Sequence, residues 1–377
     1  MSRLNISGID DTINLQQFNK RIKAMSLKIV SLFTGAGGLD LGFEEAGFAT
    51  IWANEYDKTI WDTFQHNFPH TILDKRSITD VPAEDVPEAD GIVGGPPCQS
   101  WSLAGAGRGI ADQRGQLFND YIRLLKVKQP KFFLVENVAG ILSPRHAESF
   151  NGFLKEFEGA GYDISWKLVN ANDYGVPEDR LRVIIVGYRK DLKRTFTFPE
   201  PQEYKPTLKD AIGDLPEAIP ALEKNKTNGK LDIDNHEYMI GGFSSMFMSR
   251  NRVRSWDQPS FTIQAGGRQA PLHPKAPKMV KLEENKQIFA EGKEHLYRRL
   301  SVRECARIQT FPDTYHFKYT DVANGYKMIG NAVPVKLAHA IAEQIKKDLE
   351  DLWTTTEQQS TPQSKAKRTS TPALSLS

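Results

Sequence analysis

The sequence predicts an α/β fold, a mostly parallel sheet covered by helices and carrying a smaller inserted domain. Three observations point there. From residue 28 to about 188, short apolar runs alternate with amphipathic ones, the order that builds parallel strands with helical crossovers. Near Thr195 the alternation stops and prolines gather at 199, 201, 206, 216 and 220. Helical periodicity resumes beyond 296, where Ser301 stands three residues before Glu304 in a capping-box arrangement.

Taken in order, 28–33 reads as a strand, 39–46 as a short helix, 49–54 as a strand and 58–67 as a helix. A buried strand at 91–93 is followed by a loop and a helix at 115–126. A strand at 132–135, a helix near 147–159 and strands at 164–170 and 183–188 close the series. Beyond the insertion, 301–309 and 335–349 read as helices. The chain thus divides into an N-terminal extension (1–26), a first domain in two parts (27–194 and 297–350) and an inserted domain (195–296). The tail (351–377) is rich in Ser, Thr, Gln and Pro and is expected to be disordered.

Composition narrows the class. The chain is 39% apolar and 25% charged, as in an ordinary globular protein. No apolar stretch approaches the length of a membrane span, and the N-terminus lacks a signal-peptide core. Two distant cysteines offer neither a disulfide framework nor a zinc site, so no metal is expected and a reducing cytoplasm fits. Net charge is only +2, but residues 245–303 hold 12 Lys and Arg against 5 Asp and Glu. These basic residues are interleaved with Phe247, Trp256, Phe261 and Tyr297, a texture suited to a nucleic-acid surface; a solvated face is the plainer reading.

Three elements carry chemistry. Cys98 lies in Gly94-Gly95-Pro96-Pro97-Cys98-Gln99-Ser100, directly after the 91–93 strand, where stiffened backbone at a strand end exposes a nucleophile. A buried structural cysteine is the alternative for Cys98 taken alone. Glu136 ends the strand Phe132-Phe133-Leu134-Val135, and Arg180 and Arg182 precede 183–186. Alone, Glu136 reads equally as a cap for the following turn, and the arginines as surface ion-pair partners.

A glycine turn, Phe33-Thr34-Gly35-Ala36-Gly37-Gly38, follows the first strand without the dinucleotide spacing. Glu55 stands twenty residues past Gly35, as expected of a carboxylate that accepts ribose hydroxyls, and Tyr56 offers a ring for an adenine face.

In this order the pieces resemble the DNA (cytosine-5) methyltransferase family, over roughly residues 28–345. Further stretches that carry the resemblance are Asn54-Glu55-Tyr56-Asp57, Asn172-Asp173-Tyr174-Gly175-Val176-Pro177 and Arg298-Arg299-Leu300-Ser301-Val302-Arg303-Glu304. Gln309-Thr310-Phe311-Pro312 and the run from Gly325 through Gly330-Asn331-Ala332-Val333-Pro334 complete it. The resemblance implies a Rossmann-like methyltransferase domain that binds S-adenosyl-L-methionine, with a target-recognition domain at 195–296. It implies cofactor contacts at Phe33, Gly35, Gly37, Leu39, Glu55, Tyr56, Ile78, Pro97 and Asn331. Where the family commonly has Gly-Asp-Ile, this chain has Arg76-Ser77-Ile78, so Ser77 or Asp74 is left to accept from the adenine amino group.

The implied chemistry is consistent with the residues. A Cys98 thiolate adding to cytosine C6 makes C5 nucleophilic, Glu136 serves N3, and Arg180 and Arg182 hold the base carbonyl and the carboxylate. The base must leave the duplex by flipping, and the glycine-rich segment 102–114 reads as the lid over it. Gln99, Ser102 and Arg108 are expected to face DNA there. Arg250, Arg252, Arg254, Thr262 and Arg268 are the expected reading residues, since arginines pair bidentately with guanine.

The inserted domain resembles that of HaeIII-type modification enzymes, through Asn225-Lys226-Thr227-Asn228-Gly229, Asn235-His236-Glu237-Tyr238 and the run from Glu291 to Tyr297. That likeness implies methylation of the inner cytosine of GGCC by a bacterial monomer, partnered functionally by a cognate restriction endonuclease. The alternatives are an RNA or tRNA cytosine-5 methyltransferase, a catalytically idle DNA-binding subunit and a nicotinamide dehydrogenase. The missing phosphate fingerprint disfavours the last.

Overall fold

The computed structural model describes residues 26–97 and 113–360, the side chains of 113–116 and 353–360 excepted. Strands β1 (Lys28–Leu32), β2 (Ala49–Asn54), β3 (Ile72–Asp74), β4 (Gly91–Gly94) and β5 (Phe132–Val138) run parallel. Two further strands, β6 (Tyr162–Asn170) and β8 (Leu181–Arg189), extend the sheet antiparallel, giving the order β3-β2-β1-β4-β5-β8-β6. Both faces are covered, which is why β1, β5 and β8 read as nearly unbroken apolar runs. Helices α1 (Gly38–Glu45), α2 (Trp61–Asn67), α3 (Gln113–Lys128) and α4 (Ala147–Gly159) fill the connections.

Helix α2 starts later than expected. Asp57 makes a turn first, its Oδ1 accepting from Thr59 N–H at 3.0 Å and its carbonyl from Ile60 N–H.

The chain after the insertion closes the first part. Helix α6 (Val302–Ile308) begins at the expected box: Ser301 Oγ accepts from Glu304 N–H at 3.0 Å, and Glu304 Oε2 accepts from Ser301 N–H at 2.7 Å. Helix α7 (Val322–Asn331) was not anticipated, because Gly325, Gly330 and Asn324 are poor helix formers. Asp321 starts it by accepting from Ala323 N–H. Helix α8 (Val335–Ser360) lies on α1, where a Cβ at Gly42 would stand 2.5 Å from Ala338 Cβ. It continues past the limit expected at 350, since extending a formed helix is far easier than nucleating one.

Residues 195–296 are short-stranded and irregular. They hold helix α5 (Leu208–Ile212), the pair β9 (Ile219–Pro220) with β10 (Glu237–Tyr238), and the hairpin β12 (Val280–Glu283) with β13 (Lys286–Ile288). Strand β11 (Ser260–Phe261) pairs with β7 (Glu178–Asp179), just before β8. Leu208, Ile212, Met239, Ile263 and Ala270 share one core with α6 and α7. A separate small core forms around Phe247, Val253, Leu272 and Tyr297. Among the described residues no helix is long and apolar enough to cross a membrane.

Candidate active site

The register aligns the ends of four parallel strands. Leu32 pairs with Asn54 on one side and Gly94 on the other, and Gly94 pairs with Val135. Phe33, Glu55, Gly95 and Glu136 therefore come next, in one row along the carboxyl edge. Strand order reverses between β1 and β4, so this row straddles the crevice where open α/β sheets bind ligands.

On the β1–β2 side the backbone is left-handed at Phe33 (φ 55°), Gly35 (57°) and Gly37 (78°). A Cβ added to Gly35 would meet nothing within 4 Å, so the turn faces open space. Glu55 braces it: Oε2 accepts from Gly35 N–H at 2.9 Å and Oε1 from Asp57 N–H at 2.7 Å. Burial raises the Glu55 pKa above the usual carboxylate value, and those two N–H groups offset part of the rise. The Tyr56 ring beside it is 73% exposed.

Two residues that sequence reasoning missed support the turn from beneath. Thr34 Oγ1 donates to Asp40 Oδ2 at 2.5 Å, and the buried Tyr315 hydroxyl donates to the Ala36 carbonyl. Asp40 is fully buried, which pushes its carboxyl up to about 6. An acid among Leu39, Leu41 and Phe43 was the available signal for Asp40.

The rest of the expected cofactor set divides. Ser77 Oγ shares a hydrogen bond with Thr79, whereas the Asp74 carboxylate is taken up by Arg76 Nε and Nη2. Pro97 and Asn331 are exposed. Leu39 and Ile78 are both buried. Leu39 packs in the core that α1 shares with α8, and Ile78 with Val30 and Trp52.

On the β4–β5 side, Glu136 Oε1 lies 2.8 Å from Arg182 Nε. Glu136 faces Ile184 and Val138 faces Arg182, so the pair are diagonal neighbours on one face of antiparallel strands. A Cβ on Gly95 would stand 3.1 Å from Glu136 Oε2, so the Pro-Pro run passes directly by the carboxylate. Asn137 anchors that run, its Nδ2 donating to the Pro96 carbonyl at 3.0 Å. Asn137 was not singled out, although its place beside Glu136 at a strand end marked it. Cys98, Gln99, Ser102 and Arg108 lie outside the described residues.

Arg180 is held by the fold itself, its side chain 1% exposed. Nη1 donates to the Ile263 carbonyl at 3.0 Å, and Nη2 to the Gly330 and Ala332 carbonyls, both at 2.9 Å. Both terminal nitrogens are thus hydrogen-bonded to backbone carbonyls.

The expected reading residues separate in the same way. Arg252 is buried, donating from Nε to the Phe247 carbonyl at 2.8 Å and stacking on the Phe247 ring. Arg254 stacks on Phe261 and pairs with Asp179 at 2.9 Å. Thr262 Oγ1 donates to the Asp179 carbonyl at 2.6 Å. Each of these three has a backbone or charge partner within the protein. Arg250 and Arg268 are exposed. A cavity of about 310 Å³ opens beside Arg250, lined also by Gln264, Gln269 and Thr262. A second cleft, about 560 Å³, lies apart from the strand-end row between Lys58, Asp62, Asn228, Asp234 and His316.

Comparison with known proteins gives a consistent answer. The family described as C-5 cytosine-specific DNA methylase matches residues 27–347. The chain is 58% identical to the type II methyltransferase M.FnuDI of Fusobacterium nucleatum over 330 residues, covering 86% of this chain and 96% of that one. It is 40% identical to M.BsuRI of Bacillus subtilis, over 90% of this chain and 83% of that one. A solved structure from an E. coli prophage, described as a DNA modification methyltransferase, superposes with TM-score 0.66 at 26% identity, over 86% of this chain and all of that one.

Proposed function

Since the chain belongs to the C-5 cytosine-specific DNA methylase family, we propose that it methylates the inner cytosine of GGCC in duplex DNA and so protects it from a cognate endonuclease. It is a DNA (cytosine-5) methyltransferase of the type II group, and its family and fold imply S-adenosylmethionine as methyl donor. The GGCC reading is supported by the HaeIII-type stretches of the inserted segment and by two exposed arginines, Arg250 and Arg268, suited to guanine. The reaction is placed in the bacterial cytoplasm, where unpaired cysteines persist as thiols.

The observation that carries the catalytic assignment is the Glu136–Arg182 ion pair at 2.8 Å, beside the Pro96–Pro97 run that leads into Cys98. The cradle after β1 fits a nucleoside. Gly35 leaves open space, the Glu55 carboxylate stands at the end of β2 for ribose hydroxyls, and the exposed Tyr56 ring offers a face to adenine. Asn331 and Ser77 stand with this set. When bound, S-adenosylmethionine supplies a sulfonium-activated methyl group.

The residues divide the work on the base. The Cys98 thiolate adds to C6, while Glu136 donates a proton to N3 so that no anion accumulates on the ring. Arg182 holds the Glu136 carboxylate in place and lies within reach of the base carbonyl. Asn137, through the Pro96 carbonyl, fixes where the run toward Cys98 leaves the sheet. After C5 is methylated, a base removes its proton, the C6–S bond breaks to release the thiolate, and N3 returns its proton to Glu136.

The test is methylation of a plasmid followed by bisulfite mapping, with Cys98→Ser in parallel. The wild type is expected to modify the inner cytosine of GGCC, and Cys98→Ser to bind duplex without turnover. DNA carrying 5-fluorocytosine is expected to stay covalently attached to the wild type alone, since C5 then carries fluorine in place of the proton whose removal releases the thiolate. A covalent adduct with Cys98→Ser overturns the nucleophile, and modification at another sequence overturns the site.

A further inference from the structure

Arg180 joins parts of the chain that the proposed function assigns to different substrates. One guanidinium nitrogen binds the Gly330 and Ala332 carbonyls, which flank Asn331, a residue assigned above to the cofactor. The other binds the carbonyl of Ile263, next to Thr262 and Gln264 on the wall of the cavity beside Arg250. Glu178 completes the grip. It is fully buried, its Oε1 accepts from Ile263 N–H at 2.5 Å and lies 3.6 Å from Arg180 Nη1, so both backbone groups of Ile263 are held by one ion pair.

Backbone also meets backbone directly between the two segments. A Cβ on Gly330 would lie 2.2 Å from the Gln264 carbonyl carbon and 2.3 Å from Ala265 N, so any shift of 263–265 must move the turn at Asn331 or break from it. Register also links the catalytic carboxylate. Arg182 follows Arg180 by two residues, and the Arg180 N–H is fixed by Asn170 Oδ1 at 3.0 Å. The segment 178–182, from β7 into β8, therefore carries at alternate positions a grip on the recognition segment, a grip on the cofactor turn and the partner of Glu136.

We propose that the Glu178–Arg180 pair is a positioning device that couples cofactor occupancy at Asn331 to the register of the recognition segment at 262–265. It rests on the cofactor and DNA assignments made above. Cofactor binding that orders the Asn331 turn orders Ile263 through the shared guanidinium, and by linkage the correct duplex tightens cofactor binding by the same factor. Lysine cannot substitute, because an ammonium is one point charge and cannot span three carbonyls lying in different directions.

The experiment is a double titration of the full chain. Kd for a GGCC duplex is measured with and without saturating S-adenosylhomocysteine, and Kd for S-adenosylhomocysteine with and without duplex. For the wild type the two ratios are expected to agree, on the order of tenfold. Arg180→Lys, shown folded by its thermal transition, is expected to bring the ratio below about twofold while each binary Kd moves less than the ratio does. Glu178→Gln keeps an acceptor for Ile263 N–H but removes the charge facing Arg180, and is expected to fall between; it carries the test if Arg180→Lys fails to fold. A folded variant with the wild-type ratio refutes the coupling while leaving the assignments intact. A wild type that binds neither ligand refutes the assignments, and the coupling with them.

Discussion

Replacing Asp40 by asparagine should stabilise the protein, and only above a definable pH. The carboxyl is fully buried beneath the glycine turn, with its pKa raised by burial from 3.8 to about 6. Below pH 3.8 it is protonated in both folded and unfolded chains and contributes no difference. Between 3.8 and 6 the unfolded chain ionises first, so stability falls as pH rises; above 6 the loss is complete and constant. A shift of about two units corresponds to roughly 3 kcal/mol of stability missing at neutral pH.

Asparagine removes the charge and keeps the contacts. Its Oδ1 still accepts from Thr34 Oγ1, and its Nδ2 comes to the place of Asp40 Oδ1, an atom without a hydrogen-bond partner. Ser31 Oγ, buried beside Asp40, is the acceptor at hand. Urea denaturation of both proteins at half-unit steps from pH 4 to 8 reads the effect as a difference, which cancels groups that titrate alike in both. The difference should be near zero at pH 4, grow through pH 6 and then level off. A constant offset across the range would mean that Asp40 does not change its protonation on folding.

Two further outcomes test the site. Glu136→Gln removes the proposed proton donor while retaining a hydrogen-bonding side chain beside Arg182, so kcat should fall by about 10²–10⁴ with duplex Kd little changed; single-turnover methylation checks this. Among the arginines, Arg250→Ala should relax preference at one position of the recognition sequence by roughly 1–3 kcal/mol. Arg252→Ala should instead lower the melting temperature, since it strands the Phe247 carbonyl and its own packing; a competition assay beside a thermal melt separates the two.

Much of this was legible because it was local. The apolar runs of β1, β5 and β8 announced strands buried on both faces, and Ser301 with Glu304 announced the start of α6. The place of Glu136 was readable, because it follows a run of four apolar residues at the end of the parallel ladder. Which arginines are free was not readable. Arg250, Arg252 and Arg254 alternate in one short segment, yet their fates depend on the Phe247 carbonyl and on Asp179, 75 residues from Arg254. Arg180 looked equivalent to Arg182 for the same reason, since the carbonyls that claim it are 83, 150 and 152 residues away. Helix α7 was hidden because its glycines serve tertiary contact, a Cβ at Gly325 standing 2.8 Å from the Tyr319 ring.

The seating of α8 on α1 sets an order of events during synthesis. Gly42 receives Ala338 with no room for a side chain, and Lys346 Nζ caps the end of α1 at the Ala46 carbonyl, 300 residues back along the chain. The first helix among the described residues is thus covered by the last. At 5–20 residues per second, roughly 15–60 s pass with the Leu39–Phe43 face exposed to water or to a chaperone. Until then α1 lacks the surface it packs on, even in a nascent chain that already contains Cys98, Glu136 and Arg182.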